Sequence, residues 1–168
     1  MTNDKSTIPA PTEQELRKLA VELIAGQNTV TLATAKDGVP WAAPVYYVNL
    51  DFAFYFFSDP DSRHIRESQE TRHAAGAIFH PGSTWREIRG IQMTGEIAQV
   101  SPGWEALKAL RAYLKKFPFT EKFFDRHQEL DLDAFAKRFR VRLYRFQANL
   151  LYYMDNRIRF SFREKVAL

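Results

Sequence analysis

The 168-residue chain contains no cysteine. Disulfide bonds, thiolate metal sites and cysteine nucleophiles are therefore excluded. Apolar runs are also short, and none approaches the roughly 18 residues that a membrane-spanning helix requires. The first residues, MTNDKSTIPAP, lack the basic and apolar regions of a secretory signal peptide. Together these absences predict a soluble, cytoplasmic protein.

Histidine is scarce as well. The four histidines stand at positions 64, 73, 80 and 127, with no HxH or HExxH spacing. We therefore expect no metal site. The chain also lacks a nucleophile elbow, a P-loop and a GxGxxG turn, so it offers no recognisable catalytic acid, base or nucleophile.

Aromatic residues, in contrast, are plentiful. The sequence has 14 Phe, 7 Tyr and 3 Trp residues, and 45% of all residues are hydrophobic. This composition is enough for one core, and part of the aromatic surface is expected to cover a ligand or a second subunit.

Positive charge is concentrated near the end of the chain. From Lys137 to Lys165, basic residues outnumber acidic ones by nine to two, whereas the whole chain carries a net charge of +4. Such a strip is typical of a solvated strand face or of a site for an anionic ligand. A nucleic-acid interface is the less favoured interpretation, and we expect no nucleic-acid partner.

The first part of the chain predicts a helix. Thr12 and Glu15 form a capping box, and an apolar stripe then runs from Leu16 to Ile24 before Gly26 ends it. A second helix is predicted at 65–71, and a third begins with Pro102 as its first residue. Shorter helical pieces are predicted at 120–129 and 133–137, so that 102–138 forms a helical insertion.

The remaining segments predict strands. Runs rich in β-branched and aromatic residues alternate with tight turns at 29–34, 40–48, 52–57, 74–79, 90–100, 141–147 and 149–155. Six or seven short strands with peripheral helices indicate a mainly β (α+β) fold, a small antiparallel barrel. Residues 1–11 are expected to be mobile, and 12–168 to form a single domain.

Residues 54–66, FYFFSDPDSRHIR, contain the strongest functional signal. An aromatic strand ends at Ser58, a turn follows, and Ser62, Arg63 and His64 stand where a helix should begin. Hydroxyls, a guanidinium, an imidazole and free backbone N–H groups are typical of a phosphate site. The alternative is structural: Ser62 caps a helix whose solvated first turn contains Arg63 and His64.

Three segments in order carry a resemblance to a known family: TLATAKDGVPWAAPVYY, FYFFSDPDSRHIRESQE and IRGIQMTGEIAQVS. With these, residues 28–101 resemble the pyridoxamine 5′-phosphate oxidase-like, FMN-binding split β-barrel superfamily. The resemblance implies a split barrel that binds FMN in a homodimer, with the flavin in clefts at the subunit interface. A small organic molecule would be the substrate of a flavin oxidoreductase of this kind.

The resemblance also implies positions for the cofactor. The flavin phosphate would be held after the third strand, where His64 replaces the lysine of the oxidases and makes binding weaker or pH-sensitive. The ring would lie against the second strand, whose basic end residues in the oxidases are replaced here by Trp41 and Tyr46. Gly90 occupies the position of an oxidase glutamine that approaches the flavin, and Gln92, two residues later, is the candidate for that role. The candidate cofactor-binding residues are Trp41, Ala43, Pro44, Val45, Tyr46, Phe57, Ser58, Ser62, Arg63, His64 and Gln92.

The C-terminal strands depart from the oxidases. Tyr152, Met154 and Asn156 align with an arginine, a histidine and a second arginine, of which the first two hold the pyridoxal substrate in the oxidases. Authentic pyridoxamine phosphate oxidase activity is therefore not expected. Asp155, Asn156, Phe160 and Arg163 resemble the ending of general members of the superfamily, or else simply stabilise a turn.

Three alternatives to a flavin oxidoreductase remain open at this point. The chain could be a non-catalytic flavin-binding or redox-sensing module, or a relative that binds the deazaflavin F420. The least favoured alternative is a nucleic-acid-binding protein that uses the basic C-terminal strip.

Overall fold

The computed structural model describes residues 9–123 and 139–168. Three helices and eight strands follow one another in the described part: α1 (Glu13–Gly26), β1 (Thr29–Lys36), β2 (Val39–Tyr46), β3 (Val48–Leu50), β4 (Ala53–Ser58), α2 (Arg63–Thr71), β5 (Ala74–His80), β6 (Arg89–Gln99), α3 (Trp104–Lys116), β7 (Arg142–Asp155) and β8 (Arg163–Lys165). Short 3₁₀ turns lie at Trp85–Glu87 and Pro118–Phe123.

All eight strands belong to one antiparallel sheet. Its order is β2-β1-β5-β6-β7-β4-β3, and β8 pairs with the second half of β7. The sheet curls into a half-barrel, which confirms the predicted mainly β architecture. Among the described strands, β2 pairs only with β1, so one edge of β2 is left unpaired by the sheet.

The strand count differs from the prediction for local reasons. The run at 40–48 is divided into β2 and β3 at Tyr47, whose backbone N–H bonds to the carbonyl of Asn28. The two predicted strands at 141–147 and 149–155 are one strand, β7. This strand continues through Ala148 and carries the extra residue of a β-bulge, Asn149, opposite Thr94 and Gly95 of β6.

The interior of the half-barrel is closely packed with aliphatic and aromatic side chains. α1 covers one end through Leu16, Ala20, Leu23 and Ile24, and its predicted capping box is present. The buried strand residues include Val30, Leu32, Phe54, Phe56, Ile78, Ile91, Met93, Phe146, Leu151 and Tyr153.

A second, smaller core lies on the opposite face of β3 and β4. There α3 packs Ala106, Ala109 and Tyr113 against Val48 and Tyr55. α3 begins at Trp104 and not at Pro102, because Pro102 and Gly103 form the turn that precedes it. The prediction of Pro102 as the first helical residue was therefore wrong.

Some predictions concern residues that the structure does not describe. Residues 1–8 of the expected mobile terminus lie outside the described residues, as do most of 120–129 and all of 133–137. Within the described ranges, no helix is long and apolar enough to cross a membrane.

Gly95, which faces the bulge of β7, leads to a stability prediction. A methyl group at Gly95 would overlap the carbonyl of Gln147 and lie 3.1 Å from the Cα of Ala148, both in the backbone of β7. We expect Gly95→Ala to lower the free energy of unfolding by about 3 kcal/mol, measured by urea denaturation. Gly26→Ala is the control, since nothing lies within 4 Å of its added methyl group. Equal stability of the two variants would contradict this account of the bulge.

Candidate functional site

The turn after β4 is stabilised by its own aspartate. The carboxylate of Asp59 accepts the backbone N–H of Asp61 at 2.8 Å, and the carbonyl of Asp59 accepts the N–H of Ser62 at 3.0 Å. Asp59 thus caps the turn. An acidic residue beside an anion site has to be held in this way, because a free carboxylate would repel the anion. The turn delivers the chain directly into α2.

Three polar side chains meet at this turn. Ser58 Oγ lies 3.0 Å from His64 Nε2 and 3.1 Å from Ser62 Oγ, and the Ser62 and His64 atoms are 3.5 Å apart. Ser62 is the N-cap residue of α2, yet its hydroxyl makes no capping hydrogen bond, and His64 is only 8% exposed. The structural interpretation, a capping serine with a solvated histidine, is therefore wrong for both residues.

Burial determines the charge of His64. It lowers the pKa of the imidazole below its ordinary value of 6.5, and the charge of Glu67 only partly opposes this effect. His64 is consequently neutral at pH 7. Its Nε2 can form a hydrogen bond with Ser58 or with a ligand. A neutral imidazole does not replace the positive charge of the lysine that the oxidases have at this position.

The guanidinium of Arg63 is held from two sides. Its Nε donates to Glu67 Oε1 at 2.6 Å, and its Cζ lies 4.8 Å from the centre of the Trp41 ring. Glu67 is itself buried, and its second oxygen accepts the hydroxyl of Thr34 at 2.6 Å. The bonds from Thr34 and Arg63 lower the pKa of Glu67. The carboxylate therefore fixes the Nε side of Arg63, while the terminal Nη groups have no acidic partner among the described residues.

These groups fit an anionic ligand such as a phosphate. Arg63 and His64 are the first two residues of α2, so their backbone N–H groups have no acceptor within the helix. Nearby, the hydroxyl of Tyr144 is buried and has no hydrogen-bond partner within the described chain. Tyr144 stacks on Phe56, whose ring neighbours His64, and the charges of Asp59 and Asp61 act on its hydroxyl. The turn therefore offers several donors, the hydroxyls and the backbone N–H groups at the start of α2, beside the carboxylates of Asp59 and Asp61.

Strand β2 is largely exposed. Trp41, Ala43 and Val45 lie on the face that carries the barrel core, since they pair with Thr34, Leu32 and Val30. Pro44 and Tyr46 lie on the opposite, outer face. Six of the eight β2 residues are exposed, including both prolines, whose missing N–H groups suit an edge strand.

Cations from other elements stand near both ends of β2. Arg63 lies over Trp41 at one end, and at the other Lys116 Nζ is 4.1 Å from the centre of the Tyr47 ring. Lys116 also donates to the carbonyl of Gln27 at 2.6 Å, and burial lowers its pKa to about 8. Cations of α2 and α3 therefore lie near the two ends of β2.

Two predicted residues lie away from the polar turn. Phe57 points to the opposite side of β4 from Ser58, where its ring packs edge-on against Tyr113 at 5.1 Å. Gln92 lies on the outer face of the sheet, three strands from β2 along the row Gln92, Ala77, Thr31 and Pro44. At the usual strand spacing this is about 14 Å. The structure therefore brings Ser58, Ser62 and His64 together and places Arg63 beside Trp41, whereas Phe57 and Gln92 lie elsewhere.

The residues after β7 form a turn. Asn156 donates to the carbonyl of Trp85 at 2.7 Å and accepts the N–H of Ser161 at 3.1 Å. The carboxylate of Asp155 pairs with Arg157 at 2.6 Å and accepts the Tyr153 hydroxyl at 2.8 Å. The structural interpretation of Asp155 and Asn156 is thereby confirmed.

Sequence reasoning missed Thr34, Glu67 and Tyr144. The spacing of Arg63 and Glu67, four residues apart on a helix, was a usable signal for their ion pair. Thr34 and Tyr144 come from β1 and β7, and only the folded sheet brings them to α2. In the described ranges no cluster of three or more His, Asp or Glu side chains could hold a metal ion.

Comparison with known proteins assigns the chain to a family. The family profile described as pyridoxamine 5′-phosphate oxidase matches residues 16–143. A stretch of 97 residues is 34% identical to the UPF0306 protein YhbP of Salmonella arizonae, and it covers 56% of this chain and 65% of that relative. The chain thus matches less than two thirds of the length of this relative.

Solved structures show the same fold at low sequence identity. A heme binding protein from Mycobacterium smegmatis has a TM-score of 0.67 and 17% identity, over 95% of this chain and 60% of that one. An FAD-binding protein from Mesorhizobium loti has a TM-score of 0.60 and 18% identity, over 80% of this chain and 88% of that one. At these identities the likeness concerns the fold alone.

The buried histidine makes stability depend on pH. Because the pKa of His64 is lower in the folded protein, the unfolded chain binds the proton more tightly, and stability is lost as pH falls below about 6.5. We expect the Tm of the wild type to fall between pH 7.5 and 5.5, and to fall less in His64→Gln. His73→Gln, at an exposed position, should keep the wild-type slope; a reduced slope in that variant instead would contradict the assignment.

The buried contact between Thr34 and Glu67 also predicts a loss of stability. Thr34→Val keeps the shape of the side chain but leaves a carboxylate oxygen of Glu67 without its hydroxyl donor. We expect the Tm to decrease by roughly 3–8 °C in differential scanning calorimetry. The exposed Thr29 lies on the same strand, and Thr29→Val should change the Tm much less. No difference between the two variants would show that this hydrogen bond is unimportant.

Proposed function

The chain belongs to the pyridoxamine 5′-phosphate oxidase family, and from this we propose that it binds FMN and acts as an oxidoreductase on a small organic substrate. The observation that carries the proposal is the polar turn: the hydroxyls of Ser58 and Ser62 meet at the N-terminus of α2, whose first residue is Arg63, where the family resemblance puts the flavin phosphate. The FAD-binding neighbour supports a flavin in this fold.

Each group in the turn has a separate role in holding the phosphate. Arg63 provides the positive charge and, through its Nη groups, a forked pair of donors. Ser58 and Ser62 provide hydroxyls, and the backbone N–H groups of Arg63 and His64 add the favourable end of the helix dipole. Glu67 and Trp41 hold the guanidinium in place, so that less side-chain entropy is lost when an anion binds.

Strand β2 would receive the flavin ring. Its unpaired edge offers backbone N–H and C=O groups to the polar side of an isoalloxazine, and Ala43, Pro44 and Val45 leave room for a close approach. When bound, FMN supplies the two-electron chemistry. The protein orients the ring, and Arg63 and Lys116 place positive charge near the two ends of the strand. We expect these cations to favour the reduced, more negative flavin.

A homodimer with the flavin at the subunit interface is part of the proposal. The exposed faces of β2 and exposed aromatic side chains such as Phe79, 72% accessible, would then be covered by the second copy. Pyridoxamine phosphate itself is not the proposed substrate, since Tyr152 and Met154 provide neither of the two side chains that hold it in the oxidases.

The second candidate is a flavin-binding module without turnover. The described residues around the turn include no group placed to transfer a proton to a substrate, and His64 is tied to Ser58. Reduction of the bound flavin by NADH or NADPH, followed by reoxidation with an organic acceptor, separates the two functions. A flavin that binds but is not reduced by either nucleotide favours the module.

The direct test of the proposal is the absorbance of the purified protein, with mass spectrometry of the released cofactor. Flavin bands and released FMN are expected. A haem spectrum, which the neighbour described as heme-binding makes a real alternative, or a colourless protein that does not bind added FMN, would contradict the proposal.

Arg63 gives a sharper prediction. Arg63→Ala removes the charged donors to the phosphate, and we expect FMN to bind about 10- to 100-fold more weakly, as measured by quenching of flavin fluorescence. Riboflavin, which has no phosphate, should bind both proteins equally. Arg66→Ala is the matched control, because Arg66 lies on the same helix but is exposed. An unchanged dissociation constant for FMN would remove Arg63 from the site.

A further inference from the structure

The side chain of Lys116 lies at a junction of three parts of the chain. It leaves the last turn of α3, and its Nζ is 4.1 Å from the centre of the Tyr47 ring and 5.7 Å from that of Phe117. The same Nζ donates at 2.6 Å to the backbone carbonyl of Gln27, which follows α1. The amine is therefore enclosed by two aromatic rings and one carbonyl, at the opposite end of β2 from Arg63.

The ammonium group of Lys116 has no acidic partner. Among the residues that the structure describes, no Asp or Glu forms an ion pair with it, and its hydrogen bond goes to an uncharged oxygen. The rings and the carbonyl replace only part of the water that half-burial removes from the cation. Burial accordingly lowers the pKa of Lys116 to about 8.

This setting makes Lys116 a nucleophile near neutral pH. With a pKa of about 8, about a tenth of the side chains carry a free amine at pH 7. For an ordinary exposed lysine that fraction is smaller by a factor of roughly 200. Lys116 also keeps part of its surface exposed, so that a small reagent can reach the amine.

The outer face of α3 beside this lysine is positively charged. Lys108, Arg111 and Lys115 are exposed and stand three and four residues apart, so they form one stripe of the helix. Within the described ranges none of the three forms an ion pair. Their charge raises the local concentration of small anions near Lys116.

We propose that Lys116 is a site of covalent acylation by small acyl phosphates, which react with it directly. The free amine attacks the acyl carbon, the bond from that carbon to the phosphate oxygen breaks, and inorganic phosphate and a proton leave. The product is an uncharged amide, so the positive charge beside Tyr47 is lost. The effect of this loss on a bound flavin rests on the function proposed above, whereas the acylation does not.

Acetyl phosphate is the probe, and the adjacent Lys115 is the internal control, since it belongs to the same helix end but is exposed. The full chain is incubated with acetyl phosphate at pH 7.5 without flavin. Initial rates of acetylation at each lysine are measured by tandem mass spectrometry after digestion with chymotrypsin. We expect Lys116 to react at least tenfold faster than Lys115. The ratio is smaller than that of the free amines because a weaker base is also a weaker nucleophile.

Two further measurements separate the enclosure from general attraction of the anion to α3. Between pH 7 and 10 the rate at Lys116 should be half-maximal near pH 8 and then level off, whereas the rate at Lys115 should keep rising. In concentrated urea, which removes the enclosure, the two lysines should react at equal rates. Separate titration with FMN tests the proposed function, and either result can fail without the other.

Three results would overturn the proposal. The first is a folded protein in which Lys116 reacts no faster than Lys115. The second is a rate at Lys116 that rises with pH in parallel with that at Lys115. The third is a preference for Lys116 that persists in urea, because the local sequence and not the packing against Tyr47 would then explain it.

Discussion

The contact between Ser58 and His64 fixes the relation between the sheet and α2. Ser58 is the last residue of β4 and His64 lies in the first turn of α2, so a single contact of 3.0 Å joins the end of a core strand to the start of a helix. Ser62 is drawn to the same point, and its hydroxyl is thereby unavailable as a helix cap. α2 is also held along its length by the buried Ile65 and by the hydrogen bond from Thr34 to Glu67, and Arg63 lies beside Trp41.

The fold followed from local sequence signals wherever those signals were strong. The capping box at Thr12 and the β-branched runs of β1 and β6 have the predicted structure, because neighbouring residues alone determine these features. The start of α3 and the continuity of β7 were not predictable in the same way. They depend on a turn at Pro102 and Gly103 and on the bulge at Asn149, opposite Gly95, which forms only when β6 lies beside β7.

The candidate site likewise has some residues that local sequence signals indicated and others that only the folded sheet brings together. Residues contiguous in sequence, from Ser58 to His64, were identified because their types and order suggest anion binding. The contact of Glu67 with Thr34, in contrast, joins residues 33 positions apart. For the same reason, the loss of basic residues from β2 suggested a site without cations there, whereas α2 and α3 bring Arg63 and Lys116 to its ends.

The central claim is that the turn between β4 and α2 holds the phosphate of FMN. It is tested most directly by comparing the affinities of the wild-type protein for FMN and for riboflavin, which differ only in that phosphate. The account predicts that FMN binds at least tenfold more tightly at low ionic strength, and that added salt narrows the difference. Equal affinities for the two flavins would contradict it.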